Sequence, residues 1–352
     1  MDKLLSLYHS IDRRKPTQVP QNEAQVSEKK RKRLEGVPLF NSIDALSSPS
    51  SVSSASSHIS STSGIVSVIF QGREGFANSV THYYHFLFAV MVPLVEYYLK
   101  NKRSISGFKI STDIGPMKSL LLEIPLNITS IVGPNDTKTR TDATTFPGYV
   151  ALPAYDIFVD GIYGEASTGT LEKRTVRDVL GFFKDTLPSY ISCIPTVEII
   201  LIERTNNESY YRSIETVKKH QASGSSLRSI GNHKDLYTAL STKYGNRFSN
   251  ITLERSSIYY QYHIFSHAKV IIAQHGAALS NILFMRPDLG STVIELLPMD
   301  TRQLPQFREK ARMHFENLSK HIGVNYVAIK QMHDHSDIDV TEVLTVLDKI
   351  CD

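Results

Sequence analysis

Cysteine is nearly absent: Cys193 and Cys351 are the two in 352 residues. A pair so widely spaced makes neither a disulfide framework nor a zinc-ligand pattern, and its scarcity fits a reducing compartment. Long apolar runs are missing as well. The richest stretch, Phe86 to Leu94, is far shorter than the roughly 20 residues a membrane-crossing helix needs, so it reads as a buried helix. The opening residues Met1 to His9 hold too short an apolar stretch for a signal peptide, and the expected location is the cytoplasm. There the sequons Asn127-Ile128-Thr129 and Asn250-Ile251-Thr252 carry no meaning. A strong charge of one sign is also lacking. The net charge of +4 tolerates an anionic ligand such as a nucleotide diphosphate and gives no reason to expect nucleic acid. No internal repeat is visible.

What is present is an ordinary globular composition, 41% apolar and 21% charged, on a chain long enough for two domains. Residues 1–64 differ from the rest. They combine the basic run Lys29-Lys30-Arg31-Lys32-Arg33 with a serine-rich tract over 42–63. Such a segment has too little to bury to offset its ordering entropy, and it reads as a disordered leader. The basic run is a solvated charge run, or else a localisation signal or an anionic-surface patch.

From residue 65 strand and helix signals alternate, as in α/β folds with parallel sheets. Strands are expected at 65–70, 108–111, 128–132 and 149–152. A helix should run from 79 or 81 to 99, kinked at Pro93, and another spans 171–186. Pro188 and Pro195 bracket a linker. The second block opens with the strand 197–202, followed by helices at 233–243 and 256–267. It continues with strands at 269–273 and 292–296, a helix at 302–322 and a strand at 325–329. The domains expected are therefore the leader 1–64, an amino-terminal α/β domain 65–188, a carboxy-terminal α/β domain 196–330 and a final helix in 331–352.

The chemistry is expected where strand Lys269–Ala273 passes through Gln274-His275-Gly276-Ala277-Ala278 into a helix from about Leu279. Ligands of parallel sheets bind at the carboxyl ends of strands, where helix N-termini favour phosphate. Gly276, Ala277 and Ala278 would let a ligand approach the backbone. His275 could donate to a phosphate oxygen, and Asn281 could orient the loop or a sugar. The alternative is a small-residue turn that merely packs a helix on a sheet.

The stretch Gln261 to Met285, continuing to Val293-Ile294-Glu295-Leu296, resembles the signature of glycosyltransferase family 61. The shared pattern is Ala-Lys-Val-Ile-Ile followed by His-Gly-Ala, Leu-Ser-Asn and Val-Ile-Glu-Leu, with Ala278 where glycine is usual. Tyr83-Tyr84-His85-Phe86-Leu87-Phe88 with Pro93-Leu94, and Ile202-Glu203-Arg204 with Arg212, resemble two further motifs of the family. His82 stands where asparagine is usual, and Ala89 where an acidic residue is common.

The resemblance implies a GT-B-type fold of two Rossmann-like domains facing a cleft. The carboxy-terminal domain would hold the nucleotide sugar and the amino-terminal one the acceptor. It implies an inverting transfer without an essential metal, and its known range favours UDP-xylose slightly over UDP-GlcNAc. Arg204 and Arg212 would pair with the diphosphate, the Leu279 turn would carry it, and Glu295 could hold ribose hydroxyls. No cofactor beyond the donor is implied, and the partners are a nucleotide sugar and a saccharide. His85 is the first candidate for the general base, and equally reads as a core histidine. Glu74, Glu96 and Asp156 are acidic fallbacks. A transferase fold that lacks a base and only binds nucleotide or glycan is the alternative. The cluster His333-Asp334-His335 with Asp337 and Asp339 resembles a metal site, but Asp339 three residues before Glu342 reads as a capping box on the last helix.

Overall fold

The computed structural model describes residues 64–71, 83–112, 114–131, 149–153, 155–156, 169–205, 228–254, 256–300 and 314–351. Residues 1–63 of the leader, Glu74 and Arg212 lie outside them.

The amino-terminal block is built on β1 (Ile65–Gln71), β2 (Gly107–Ile110), β3 (Ile128–Ile131) and β4 (Tyr149–Pro153). They form a parallel sheet in the order β3-β2-β1-β4. Two short strands, β5 (Tyr155–Asp156) and β6 (Gly169–Thr170), pair beside it. After β1 the chain enters α1 (Tyr83–Phe86), a π turn over Leu87–Met91, and α2 (Val92–Asn101). The kink expected at Pro93 takes the form of that π turn. Proline has no N–H to give to the carbonyl four residues back and its ring crowds it. The wider register, in which the Val92 N–H reaches Leu87 O, removes the conflict. Ala89 lies in this turn and is buried, so its side chain faces core rather than substrate. The block continues with α3 (Lys118–Glu123) and α4 (Lys173–Asp185), and the proline-bracketed linker holds a short α5 (Ser189–Ser192).

The carboxy-terminal block contains β7 (Ile199–Glu203), α6 (His233–Tyr244), β8 (Phe248–Thr252), α7 (Ile258–His267) and β9 (Val270–Gln274). It ends with β10 (Thr292–Asp300), α8 (His314–Ile322), β11 (Asn325–His333) and α9 (Val340–Cys351). The sheet is parallel with order β11-β10-β9-β7-β8. Ser257 caps α7 by accepting from Tyr260 N at 3.0 Å. Asp339 caps α9, taking the amides of Thr341 and Glu342 at 2.8 and 3.1 Å, as its spacing predicts. Two expectations need correction. β11, expected to end at residue 329, runs on to His333 and so reaches the His333–Asp339 cluster. The α-helix expected after His275 is a 3₁₀ segment, Ala277–Phe284.

The continuous apolar runs of β7 and β9 follow from burial on both faces. Successive side chains alternate between two layers. Ile200, Ile202, Ile271, Ala273 and Val293 join one apolar cluster, while Ile199, Leu201, Val270, Ile272, Ile294 and Leu296 join another. The second cluster is closed by Leu236 and Leu240 of α6 and Val343 and Leu347 of α9. The first continues without a break into the amino-terminal block, through Phe86, Leu94 and Phe183. Phe183 packs on Tyr259, Tyr262 and Phe284. The α/β class with two parallel sheets is as expected, but one apolar layer is shared between the sheets.

A buried polar chain crosses the same seam. Tyr83 Oη donates to Asn281 Oδ1 at 2.6 Å, and Asn281 Nδ2 donates to Gln261 Oε1 at 2.8 Å and to the Ala278 carbonyl at 3.2 Å. Asn281 is fully buried, so it orients the loop and does not reach a sugar. Asn281→Leu removes the acceptor beneath Tyr83 and the donor to Gln261. The expected loss is about 1–3 kcal/mol, read from urea unfolding. A loss below about half a kcal/mol, the size of an ordinary surface change, would contradict this role.

Candidate functional site

The order of the second sheet has a topological switch point. β7 sends the chain to β8 on one side, and the return from α7 enters β9 on the other side. In open parallel sheets the ligand crevice lies beyond the carboxyl ends of the two strands at such a point. Arg204 follows β7 directly, and His275 follows β9.

These residues meet. Arg204 Nη1 donates to the His275 carbonyl at 2.9 Å, and Arg228 Nη1 donates to the same oxygen at 3.3 Å. Burial pushes the Arg204 guanidinium down to about 10, and the neighbouring positive charge of Arg228 adds to this. Glu254 and Asp334 offset part of the effect. Glu254 also accepts the Thr205 amide at 2.9 Å. Two guanidinium groups thus converge on one backbone oxygen at the strand ends. Each keeps further N–H groups for an anion.

Arg228 was not singled out from the sequence. It lies just before α6, in a segment whose only local signal is Asn232 ahead of the helix. A clamp from the other end of the chain holds it. Arg228 Nε pairs with Asp334 Oδ1 at 2.9 Å. Ser229 N donates to the Asp334 carbonyl at 2.8 Å, and Asn232 exchanges hydrogen bonds with both the N–H and C=O of Ile338 at 3.0 Å. Gln274 and Gln331 tie the same strands together, with Gln274 Nε2 giving 2.6 Å to Gln331 Oε1. The cluster that resembles a metal site is therefore used to position Arg228. No group of three ligating side chains with metal geometry occurs among the described residues.

Gly276 has a different purpose from the one its sequence suggests. Its backbone is extended, and a Cβ built there would overlap Arg204 Nη1. The missing side chain is what lets Arg204 reach the His275 carbonyl. Ala277 and Ala278 are partly buried and continue the same bare surface, while Leu279 is fully buried in the core.

His275 and Glu295 lie on the strand face that belongs to the layer shared with the amino-terminal block, because they continue the alternation of Ala273 and Val293. The His275 Nδ1 to Glu295 Oε1 distance is 2.5 Å, and Tyr326 Oη donates to Glu295 Oε2 at 2.5 Å. Glu295 has 0% exposure and lies within β10 rather than at its end. Both of its oxygens are taken by protein groups, so the expected contact with ribose hydroxyls does not fit. Burial, and then the Glu295 charge, push the Tyr326 hydroxyl up, which keeps it a donor.

Two further imidazoles, those of His314 and His85, gather near the His275–Glu295 pair. Burial pushes His314 down to about 3, and His275 and His85 reinforce the shift. The His275 ring meets Phe315 edge-on at 5.3 Å, and Phe315 meets Tyr84 at 6.5 Å. His85 is half-buried and contacts Tyr84 ring to ring at 5.2 Å. α1 is thereby brought beside the dyad. His314 binds its proton near 6.5 when unfolded and near 3 when folded, so unfolding takes up a proton between these values. Stability should therefore be full above about pH 6.5 and fall as pH drops toward 3. His314→Asn should weaken the acid sensitivity of thermal unfolding between pH 7 and 4. An unchanged pH dependence would contradict the burial of a neutral imidazole.

Of the acidic fallbacks, Glu96 is engaged elsewhere. Burial opposes its ionisation, but hydrogen bonds from Lys100, Tyr155 and Thr175 hold its carboxyl below the ordinary value. Such a group is a poor base near neutrality. Asp156 sits in β5.

The sequence matches the model of the family described as Glycosyltransferase 61 over residues 83–294, more than half of the chain. The match begins with α1 and ends inside β10, and so takes in β2 to β4 of the first sheet, β7 to β9 of the second, and the switch point. A search of curated proteins gives no match.

Proposed function

The chain belongs to the glycosyltransferase 61 family and is a glycosyltransferase, and we propose that it is an inverting, metal-independent one acting on a nucleoside-diphosphate sugar. The reading rests on one observation above the others: Arg204 and Arg228 converge at the switch point of the second sheet. A departing diphosphate there would meet two fixed cations, the charge that a divalent metal supplies in other sites. Arg212 would add a third. A GT-B-type division follows, with the donor on the second sheet and a glycan acceptor on the side of α1. UDP-xylose is the donor slightly favoured, with UDP-GlcNAc next. His275, Gly276, Ala277 and Ala278 would border the donor. His85, on α1, would face the acceptor side, where it is a candidate to take the hydroxyl proton. No described helix is long and apolar enough to cross a membrane.

The test is a product-release and thermal-shift panel run in excess EDTA. It covers UDP-xylose, UDP-GlcNAc, UDP-glucose, UDP-galactose, GDP-fucose and a rhamnose donor. One donor should stabilise the protein and be turned over without metal, giving a product of inverted anomeric configuration by NMR. Turnover that EDTA abolishes, or retention of configuration, would overturn the mechanism. A folded protein that binds none of the donors would favour a nucleotide- or glycan-binding module on the same fold.

A further inference from the structure

We propose that His275 is the proton acceptor of the transfer, and that Glu295 and Tyr326 are the residues that position it. This rests on the donor-site reading above and assigns the proton differently from the reading that favours His85. A fully buried carboxylate takes hydrogen bonds from two sides, the His275 ring at Nδ1 and the Tyr326 hydroxyl. A carboxylate only accepts, so the ring nitrogen facing it carries the hydrogen. The neutral ring then keeps its lone pair on Nε2, where it can accept a proton and cannot donate to a phosphate. A base held through its other nitrogen by a buried carboxylate is the arrangement that activates hydroxyl groups elsewhere.

The location fits. The backbone carbonyl of His275 is held by the two arginines of the donor site, while its side chain lies on the sheet face shared with α1. One residue thus borders both the leaving group and the acceptor side. In the step, the acceptor O–H bond gives its proton to Nε2 as the oxygen attacks the anomeric carbon. The bond from that carbon to the diphosphate oxygen breaks, and its electron pair leaves with the nucleoside diphosphate toward Arg204 and Arg228. The Glu295 carboxylate faces the imidazolium, which afterwards loses its proton to solvent. Among the described residues, other charged or titratable groups around His275 include Tyr326 of β11, His314 of α8, Arg204 after β7, Arg228 before α6 and, through His314, His85 of α1.

The test uses the nucleotide sugar that the wild type turns over and four variants: His275→Asn, Glu295→Gln, Tyr326→Phe and His85→Asn. His275→Asn should lower kcat by about 10²–10⁴-fold, the range for a general base, with donor KM little changed. Glu295→Gln keeps an acceptor for Nδ1–H and removes the charge that stabilises the imidazolium. The acid limb of its kcat profile should therefore move to lower pH, and Tyr326→Phe should move it slightly the other way, because the carboxylate loses a donor that shares its charge. Nitrogen NMR of the free wild type, assigned by difference from His275→Asn, should show hydrogen on Nδ1 and none on Nε2 at neutral pH. The proposal is overturned if the hydrogen is on Nε2, or if His275→Asn keeps kcat. It is equally overturned if donor KM rises in step with the loss, if Glu295→Gln leaves the acid limb in place, or if His85→Asn removes a limb that His275→Asn retains. If Arg204→Ala raises donor KM while His275→Asn keeps kcat, the donor site stands and this proposal falls. A wild type that turns over no donor overturns both.

Discussion

Arg204→Ala is expected to lower turnover by about 10²–10³-fold, the effect of removing one fixed donor to a developing negative charge. The reason is electrostatic. Arg204 is mostly buried beside Arg228, and both donate to a single carbonyl oxygen. Two cations held so close repel each other, and the nearby carboxylates of Glu254 and Asp334 offset only part of that. An arriving diphosphate relieves the repulsion, and it does so most when the leaving group carries its full charge. The free protein should therefore tolerate the substitution well, because Arg228 still occupies the His275 carbonyl. Arg204→Lys should restore little, since an ammonium lacks the planar fork that spans carbonyl and phosphate together. Steady-state kinetics with thermal unfolding of the free variant separates the two effects. Turnover within about threefold of wild type, or unfolding of the free protein, would show that Arg204 serves the fold instead.

Gly276→Ala is expected to impair donor binding by about 10–100-fold, what the loss of one charged hydrogen bond of about 1.5–3 kcal/mol gives, at little cost in stability. The added Cβ meets the far end of the Arg204 side chain and no backbone. A flexible guanidinium can swing away, so the loop remains folded. What is lost is the placement of Arg204 on the His275 carbonyl. The backbone at residue 276 is extended, which alanine adopts without strain. An activity loss without a stability loss is therefore the specific signature. A marked fall in melting temperature with unchanged donor affinity would place the glycine in packing alone. The double variant Gly276→Ala/Arg204→Ala should be no worse than Arg204→Ala, since both act on the same guanidinium.

Much of the fold was legible because it follows from local rules. The unbroken apolar runs of β7 and β9 announce strands covered on both faces, and Asp339 with Glu342 announces a helix start. The site was legible in outline, through the order of strand, His275, Gly276 and small residues. The roles of individual residues were less so. Nothing local says that Gly276 makes room for an arginine 72 positions earlier in the chain, or that Arg228 is held by Asp334. Glu295 reads as a ribose ligand by position in sequence. Its partners, His275 and Tyr326, are fixed only when β9, β10 and β11 are laid side by side in register. Asn281 likewise reads as a ligand residue until Tyr83 is brought onto it from the other sheet. The 3₁₀ segment after Gly276 could not be told from an α-helix by apolar spacing over so few residues.

The most direct test of the donor site is a crystal structure with the nucleoside diphosphate released from the preferred donor, grown without divalent metal. Its phosphates should lie beyond the carboxyl ends of β7 and β9, with oxygens in hydrogen-bond reach of Arg204 and Arg228. Phosphates bound at any other strand end, or away from both arginines, would contradict the assignment.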